Sequence, residues 1–184
     1  MQTDARKLID ELINTVENSS AIAMQFRSLS NEQLNYRSAP EKWSILECIE
    51  HLNLYGDFYL PEIEKSILGQ KDCFAPVFKS GLLGNYFANL MKVTNGKLKK
   101  MPAPKDKNPL NRELTVTSID RFLKQQERMT ALLKLARNVD LTKTKTAISL
   151  SKFIRLRLGD TFRFVVYHIE RHVLQAEKIK QQLS

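Results

Sequence analysis

The amino-acid sequence predicts an all-α protein that folds as a four-helix bundle in one domain over residues 1–184. A chain of 184 residues is long enough to bury a single hydrophobic core. Its six glycines and six prolines are too few for many short strands joined by turns. Four long segments repeat apolar residues at helical spacing, and four such helices pack most simply as a bundle.

The first long helix is predicted over residues 3–28. A capping-box pattern from Ser30 to Gln33 then predicts a short helical turn around Leu34. Pro40 predicts a loop, because proline keeps the preceding residue out of the helical conformation. The apolar residues that define the first helix are Leu8, Leu12, Val16, Ile22 and Phe26.

The second long helix is predicted to begin after Ser44. Ser44 is the N-cap, and Glu47, three residues later, is its reciprocal capping partner. Pro61 is predicted to interrupt and kink this helix, because proline removes one backbone hydrogen bond and clashes with the preceding turn. The buried face is predicted to consist of Ile45, Ile49, Leu52, Phe58 and Ile63.

A long irregular connection is predicted between the second and third long helices. It contains a short helix over residues 82–93 and a proline-rich stretch over residues 101–109. The third long helix is predicted over residues 117–137, followed by a connector over residues 138–159. Asp160 is then predicted to be the N-cap of a fourth helix that extends nearly to Ser184.

The composition limits the compartment and the partners. The formal net charge is +9, but the sequence contains no recognised nucleic-acid module, so nucleic-acid binding is not expected. Cys48 and Cys73 form no paired motif, no apolar signal segment follows the N-terminus, and no apolar stretch is long enough to span a membrane. A cytoplasmic protein is expected. The basic residues cluster at Lys97, Lys99, Lys100, Lys105 and Lys107, and again at Lys143, Lys145, Lys152, Arg155 and Arg157.

The three histidines of the chain are the candidate metal ligands. His168 and His172 are four residues apart, which places both imidazoles on one face of the last helix. His51, on the facing second helix, would complete a three-nitrogen site with an open coordination position. Such a site suits zinc, nickel, iron or copper. The alternative is that all three are ordinary helix residues.

Three residues near the histidines have competing interpretations. Glu47 is a candidate catalytic proton acceptor, although the capping box would occupy its carboxylate at the backbone. Gln175, three residues after His172, either orients a ligand or is a surface amide. Cys48 is a candidate fourth ligand or reactive thiol, and the alternative is a buried, inert cysteine.

The aromatic residues near His51 are also candidates. Tyr55 and Phe58 lie one and two turns beyond His51 and either form the wall of a pocket or belong to the core. Trp43 is predicted to pack as a hydrophobic staple that fixes the entry of the chain into the second helix. Arg171 is predicted to point away from the histidines, towards solvent or the neighbours of Glu170.

Two segments resemble the signatures of a known family. The first runs from Leu34 through Trp43-Ser44 and ends at His51-Leu52, and the second comprises residues 158–160 and 168–175. Together they resemble the DinB-like superfamily. The resemblance implies a four-helix bundle of up-down-down-up order and a divalent metal, with zinc or nickel favoured. It implies that His51, His168 and His172 hold that metal.

The same resemblance implies a metal-dependent enzyme with a small-molecule substrate. It leaves open a thiol S-transferase that uses a low-molecular-weight thiol and a hydrolase of unknown substrate. It also admits a homodimer, since related bundles pair through exposed helix faces. The alternative function is a non-catalytic, metal-stabilised bundle that acts as a stress-associated binding protein.

Overall fold

The computed structural model describes residues 1–70, 73–94, 102–149 and 151–183. These residues are mostly helical. Residues Lys97, Lys99, Lys100 and Ser184 lie outside the described part. The helices there are α1 (Ala5–Gln25), α2 (Asn31–Asn35), α3 (Ile45–Leu68), α4 (Leu82–Met91), α5 (Thr117–Leu135) and α6 (Leu158–Lys180), with 3₁₀ turns at Phe26–Ser28, Lys105–Lys107 and Ala136–Asn138.

The four long helices predicted from the sequence are present as α1, α3, α5 and α6. Both α1 and α3 pack against α5 and against α6, so the apolar faces of all four helices meet in one core. The up-down-down-up order and the single domain remain predictions. Large side chains that are fully buried in this core include Leu8, Leu12, Phe26, Ile45, Phe122 and Phe162.

The predicted N-termini of α2 and α3 are confirmed in detail. Ser30 and Gln33 form a reciprocal capping box at α2, and Ser44 and Glu47 form another at α3. At α3 the Ser44 amide donates to Glu47 Oε2 at 2.9 Å, and the Glu47 amide donates to Ser44 Oγ at 3.2 Å. Pro61 lies inside α3 without ending it, and the helix continues to Leu68.

The prediction that Asp160 is the N-cap of the last helix is wrong. Strand β4 (Ser151–Arg157) leads directly into α6, so the N-cap is Arg157 and Asp160 lies within the first turn. The buried Asp160 carboxylate instead accepts hydrogen bonds from the Ser80 hydroxyl and, at 2.8 Å, from the Gly81 amide. Gly81 is the N-cap of α4, so Asp160 fixes the start of α4 against α6.

The expectation of an all-α chain also needs correction, because two small antiparallel sheets are present. Strand β1 (Gln2–Asp4) pairs with β2 (Val77–Lys79), and β3 (Lys145–Ile148) pairs with β4. The connector predicted over residues 138–159 therefore contains a hairpin. The alternation of buried and exposed residues in β3 is too short to be recognised as a strand from the sequence. Only Thr146 and Ile148 of β3 are buried, and they alternate with more exposed neighbours.

None of the helices in the described ranges combines the length and the apolar character needed to cross a lipid bilayer.

Asp160→Ala is expected to lower the free energy of unfolding by about 3–5 kcal/mol, because Arg163 would remain buried without its ion-pair partner. Urea denaturation at neutral pH measures the change. Asp10→Ala is the matched control, since Asp10 pairs with Arg137 at the surface and such pairs contribute about 1 kcal/mol or less. Equal losses in the two variants would contradict the structural role of Asp160.

Candidate metal centre

The three histidines converge on one point between α3 and α6. Their candidate ligand atoms all lie within 4.8 Å of one another. The side chains are buried, with exposed fractions of 2% for His51, 5% for His168 and 9% for His172. His168 and His172 share one face of α6, as their spacing predicted, and His51 meets them from the second turn of α3.

Hydrogen bonds fix the orientation of two of the rings. The Nδ1–H group of His51 donates to the Lys107 carbonyl oxygen at 2.6 Å, and that of His172 donates to Gln175 Oε1 at 3.0 Å. Because both partners are oxygen acceptors, each proton resides on Nδ1 and each Nε2 atom presents a lone pair. Gln175 therefore orients the His172 ring, and its role at a bound metal remains a prediction.

The spacing of the nitrogen atoms fits a single ion. His51 Nε2 lies 3.1 Å from His168 Nε2. Two nitrogens bound tetrahedrally to one zinc at about 2.0–2.1 Å would lie about 3.3–3.4 Å apart. The donor set, with this spacing and with all the candidate ligand atoms within 4.8 Å of one another, therefore fits a divalent metal held by His51, His168 and His172.

Burial keeps the imidazoles neutral. Burial is the main cause that lowers the pKa of His51 to about 4; the hydrogen bond to the Lys107 carbonyl opposes this shift and the charge of Lys107 adds to it. Burial also lowers the pKa of His168 and of His172 well below the ordinary value, with added contributions from neighbouring histidines and Arg171. Neutral imidazole is the form that binds a metal, so the site needs no proton release near pH 7.

Two aromatic rings line the cluster. The Trp43 ring lies 4.7 Å from His51 and 5.6 Å from His172 between centroids, and its Nε1–H donates to Asn108 Oδ1 at 3.1 Å. The Tyr55 ring lies 4.5 Å from His168 and 5.0 Å from His51. Tyr55 thus forms part of the wall, whereas the ring of Phe58 packs against Tyr59.

Trp43 is the site residue that sequence reasoning missed. It packs against the core as expected, but its ring also covers two of the histidines. The indications in the sequence were its place one residue before the N-cap of the helix that carries His51 and its position inside the first family-like segment.

Glu47 is fully engaged away from the imidazoles. Its side chain is 1% exposed and, besides the capping bond, accepts two hydrogen bonds from Arg37 at 2.9 and 2.6 Å. It accepts a fourth from the Asn111 amide at 2.8 Å. The capping interpretation is confirmed, while the catalytic role of Glu47 remains a prediction that these four bonds oppose.

Two further candidates lie outside the ligand group. In the described ranges, the group of possible ligands consists of the three histidines and includes neither Cys48 nor Glu47. Burial raises the pKa of the Cys48 thiol, and the charge of Glu47 raises it further. The thiol is therefore protonated and inert. Arg171 is 7% exposed, so the solvent alternative is wrong, while a contact with the neighbours of Glu170 remains a prediction.

The sequence profile of the DinB superfamily matches residues 15–176, which is most of the chain. The chain belongs to the DinB superfamily. No curated protein and no solved structure matches it significantly. This match confirms the resemblance to the DinB-like superfamily that the two histidine-bearing segments indicated.

The metal-free protein is expected to lose stability as the pH falls below about 6.5. The unfolded histidines take up protons there while the buried ones remain neutral down to a pH near 4 for His51. Each histidine that stays neutral in the folded state lowers the free energy of unfolding by up to about 1.4 kcal/mol per pH unit in that window. Urea denaturation with a chelator, at several pH values between 7 and 5, measures the slope.

The variant His172→Asn is expected to show a shallower slope, since one titrating group is removed from the unfolded state. An identical slope in the wild-type protein and this variant would contradict the lowered pKa of His172.

Proposed function

We propose that this protein binds a divalent metal, zinc or nickel, through His51, His168 and His172, and that it is a metal-dependent enzyme acting on a small molecule. The observation that supports this is the convergence of three neutral, buried imidazoles from two helices. Two of them are oriented by oxygen acceptors behind the ring. Three histidine ligands leave a coordination position free for a substrate or water, which is typical of catalytic sites.

The proposed chemistry is thiol transfer from a low-molecular-weight thiol to an electrophile, or hydrolysis. A bound divalent metal would lower the pKa of a coordinated thiol or water and so supply the nucleophile near neutral pH. The residues of the chain hold and orient the ligands, and the rings of Trp43 and Tyr55 exclude bulk water. The net charge of +9 favours an anionic substrate.

Glu47 is proposed to position the site rather than to transfer a proton. Its carboxylate joins the start of α3, which carries His51, to the Asn111 backbone. That backbone lies four residues beyond Lys107, whose carbonyl accepts the His51 proton. A role as proton acceptor would require Glu47 to leave Arg37 and two backbone amides, so positioning agrees better with its contacts.

A second candidate is a non-catalytic metal site that ties α3 to α6 in a stress-associated binding protein. The burial of all three histidines favours it, since an ion that binds only the folded state stabilises that state. A cytoplasmic location and a homodimer remain predictions, and the proposed partner is a small molecule rather than nucleic acid.

Tag-free protein is expected to contain about one divalent ion per chain, and His172→Ala is expected to lose it, because two histidines alone hold a metal weakly. Elemental mass spectrometry measures the content after purification and after incubation with zinc or nickel. Gln182→Ala, at the exposed end of the chain, is the control for handling and should retain the ion.

No metal in the wild-type protein, with no uptake of zinc or nickel, would overturn the proposed function. The loaded protein is then assayed with small thiols plus an electrophile and with ester and amide substrates. Metal-dependent turnover supports the enzyme. A metal-dependent rise in the melting temperature without turnover in either assay supports the second candidate instead.

Gln175→Ala is expected to weaken metal binding by about 10- to 100-fold while leaving the three ligands in place, because His172 loses the acceptor that fixes its ring. Competition with a coloured chelator measures the affinity. Gln175→Glu retains an acceptor and should bind at least as tightly as the wild-type protein. An unchanged affinity in Gln175→Ala would show that the packing around His172 is sufficient to orient it.

A further inference from the structure

A groove of about 690 Å³ lies between α3 and α5. Its volume falls within the range of small-molecule binding sites, about 300–1,000 Å³. Arg121 spans it by pairing with Asp57 and Glu50, and Arg128 pairs with Glu64 further along. Residues of both helices line it, among them Gly56, Leu60, Lys124 and Gln125.

A second, narrow pocket lies between this groove and the histidines. Gly56, Leu60 and Gln125 line both spaces, and the narrow pocket is also lined by Tyr55 and His168. Its volume is about 10 Å³, which is about the space of one water molecule. The groove and the candidate metal centre are therefore separated by a thin shared wall.

The Gln125 carboxamide forms part of this wall. Its Nε2 atom donates to the Asn53 carbonyl oxygen at 3.2 Å and to Asp57 Oδ1 at 3.0 Å. It lies so close to α3 that a Cβ atom on Gly56 would be 2.1 Å from Gln125 Oε1. The absence of a side chain at Gly56 therefore makes room for the carboxamide in its present place.

Two carboxamide oxygens at the wall are left without partners. Gln125 Oε1 and Gln126 Oε1 are buried and have no hydrogen-bond partner within the described ranges. Gln126 is only 5% exposed, and it lines the narrow pocket. A buried acceptor without a donor is costly, so the pocket favours an occupant that carries an N–H or O–H group.

We infer that the α3–α5 groove is the substrate-binding site and entry route of the metal centre, and that Gln125 is the side chain that opens it. The substrate class is a small molecule whose body lies in the groove and whose slim thiol or hydroxyl end reaches His168. An amide or hydroxyl donor of the same molecule bonds to Gln126 Oε1. This inference rests on the proposed function, since it assigns the substrate path to that centre.

The route is tested in metal-free protein by the rate at which diethyl pyrocarbonate modifies each histidine, mapped by peptide mass spectrometry. Gln125→Ala is expected to speed modification of His168 on the order of tenfold, because the hydrogen bonds to the Asn53 carbonyl and the Asp57 carboxylate no longer hold the wall closed. Gly56→Ala should act in the same direction, because the new Cβ atom displaces the Gln125 carboxamide.

Lys124→Ala is the matched control, since Lys124 lines the same groove without lining the narrow pocket. The reagent is uncharged, so loss of the lysine charge should leave the His168 rate unchanged. An unchanged His168 rate in Gln125→Ala and Gly56→Ala, with circular dichroism like that of the wild-type protein, would overturn the route. A faster rate at His51 and His172 in Trp43→Ala, without any effect of Gln125→Ala, would place the entry on the Trp43 side and also overturn it.

The substrate class is tested with N-acetylserine, which carries a slim hydroxyl end, an amide donor and a carboxylate. Millimolar N-acetylserine is expected to protect His168 from modification, and Gln126→Met, which keeps the side-chain length but removes the acceptor, should abolish the protection. No protection in the wild-type protein would overturn the substrate class. Because no metal is present, these results do not depend on the metal-content measurement, which alone decides the proposed function.

Discussion

The structure depends on one constraint, which is that three imidazoles on two helices must meet while staying neutral and correctly rotated. Packing of α3 against α6 supplies the proximity, and burial supplies the neutrality. Rotation is set by acceptors behind the rings, namely the Lys107 carbonyl for His51 and the Gln175 side chain for His172. Without those acceptors the same residues would be three buried histidines with no common orientation.

Residues 102–116, which precede α5, contribute more to the site than their single 3₁₀ turn suggests. Three residues of this segment each form a hydrogen bond to a different residue at the site. The Lys107 carbonyl accepts from His51, Asn108 accepts from Trp43, and the Asn111 amide donates to Glu47. Glu47 in turn caps α3. The start of α3 and this segment therefore fix each other through polar bonds to one helix end.

What could be predicted from the sequence was local. Apolar spacing gave the long helices, Ser30 and Ser44 gave the caps, and the spacing of His168 and His172 gave the shared face. The acceptor for His51 lies 56 residues away in the chain, and no helical periodicity reports such a contact. Asp160 failed as a predicted cap for the same reason, since its partner Gly81 is 79 residues away.

A catalytic and a structural metal site made from these histidines differ mainly in access. A structural ion that only ties α3 to α6 is best served by a closed wall in which every buried polar group has a hydrogen-bond partner. Here the wall retains two buried carboxamide oxygens without partners in the described ranges, and such groups cost about 1–3 kcal/mol each. In a closed interface, apolar residues in place of these two glutamines would remove the cost of the unpaired oxygens. Their presence beside His168, behind a glutamine seated over Gly56, agrees better with a surface built to receive a polar ligand.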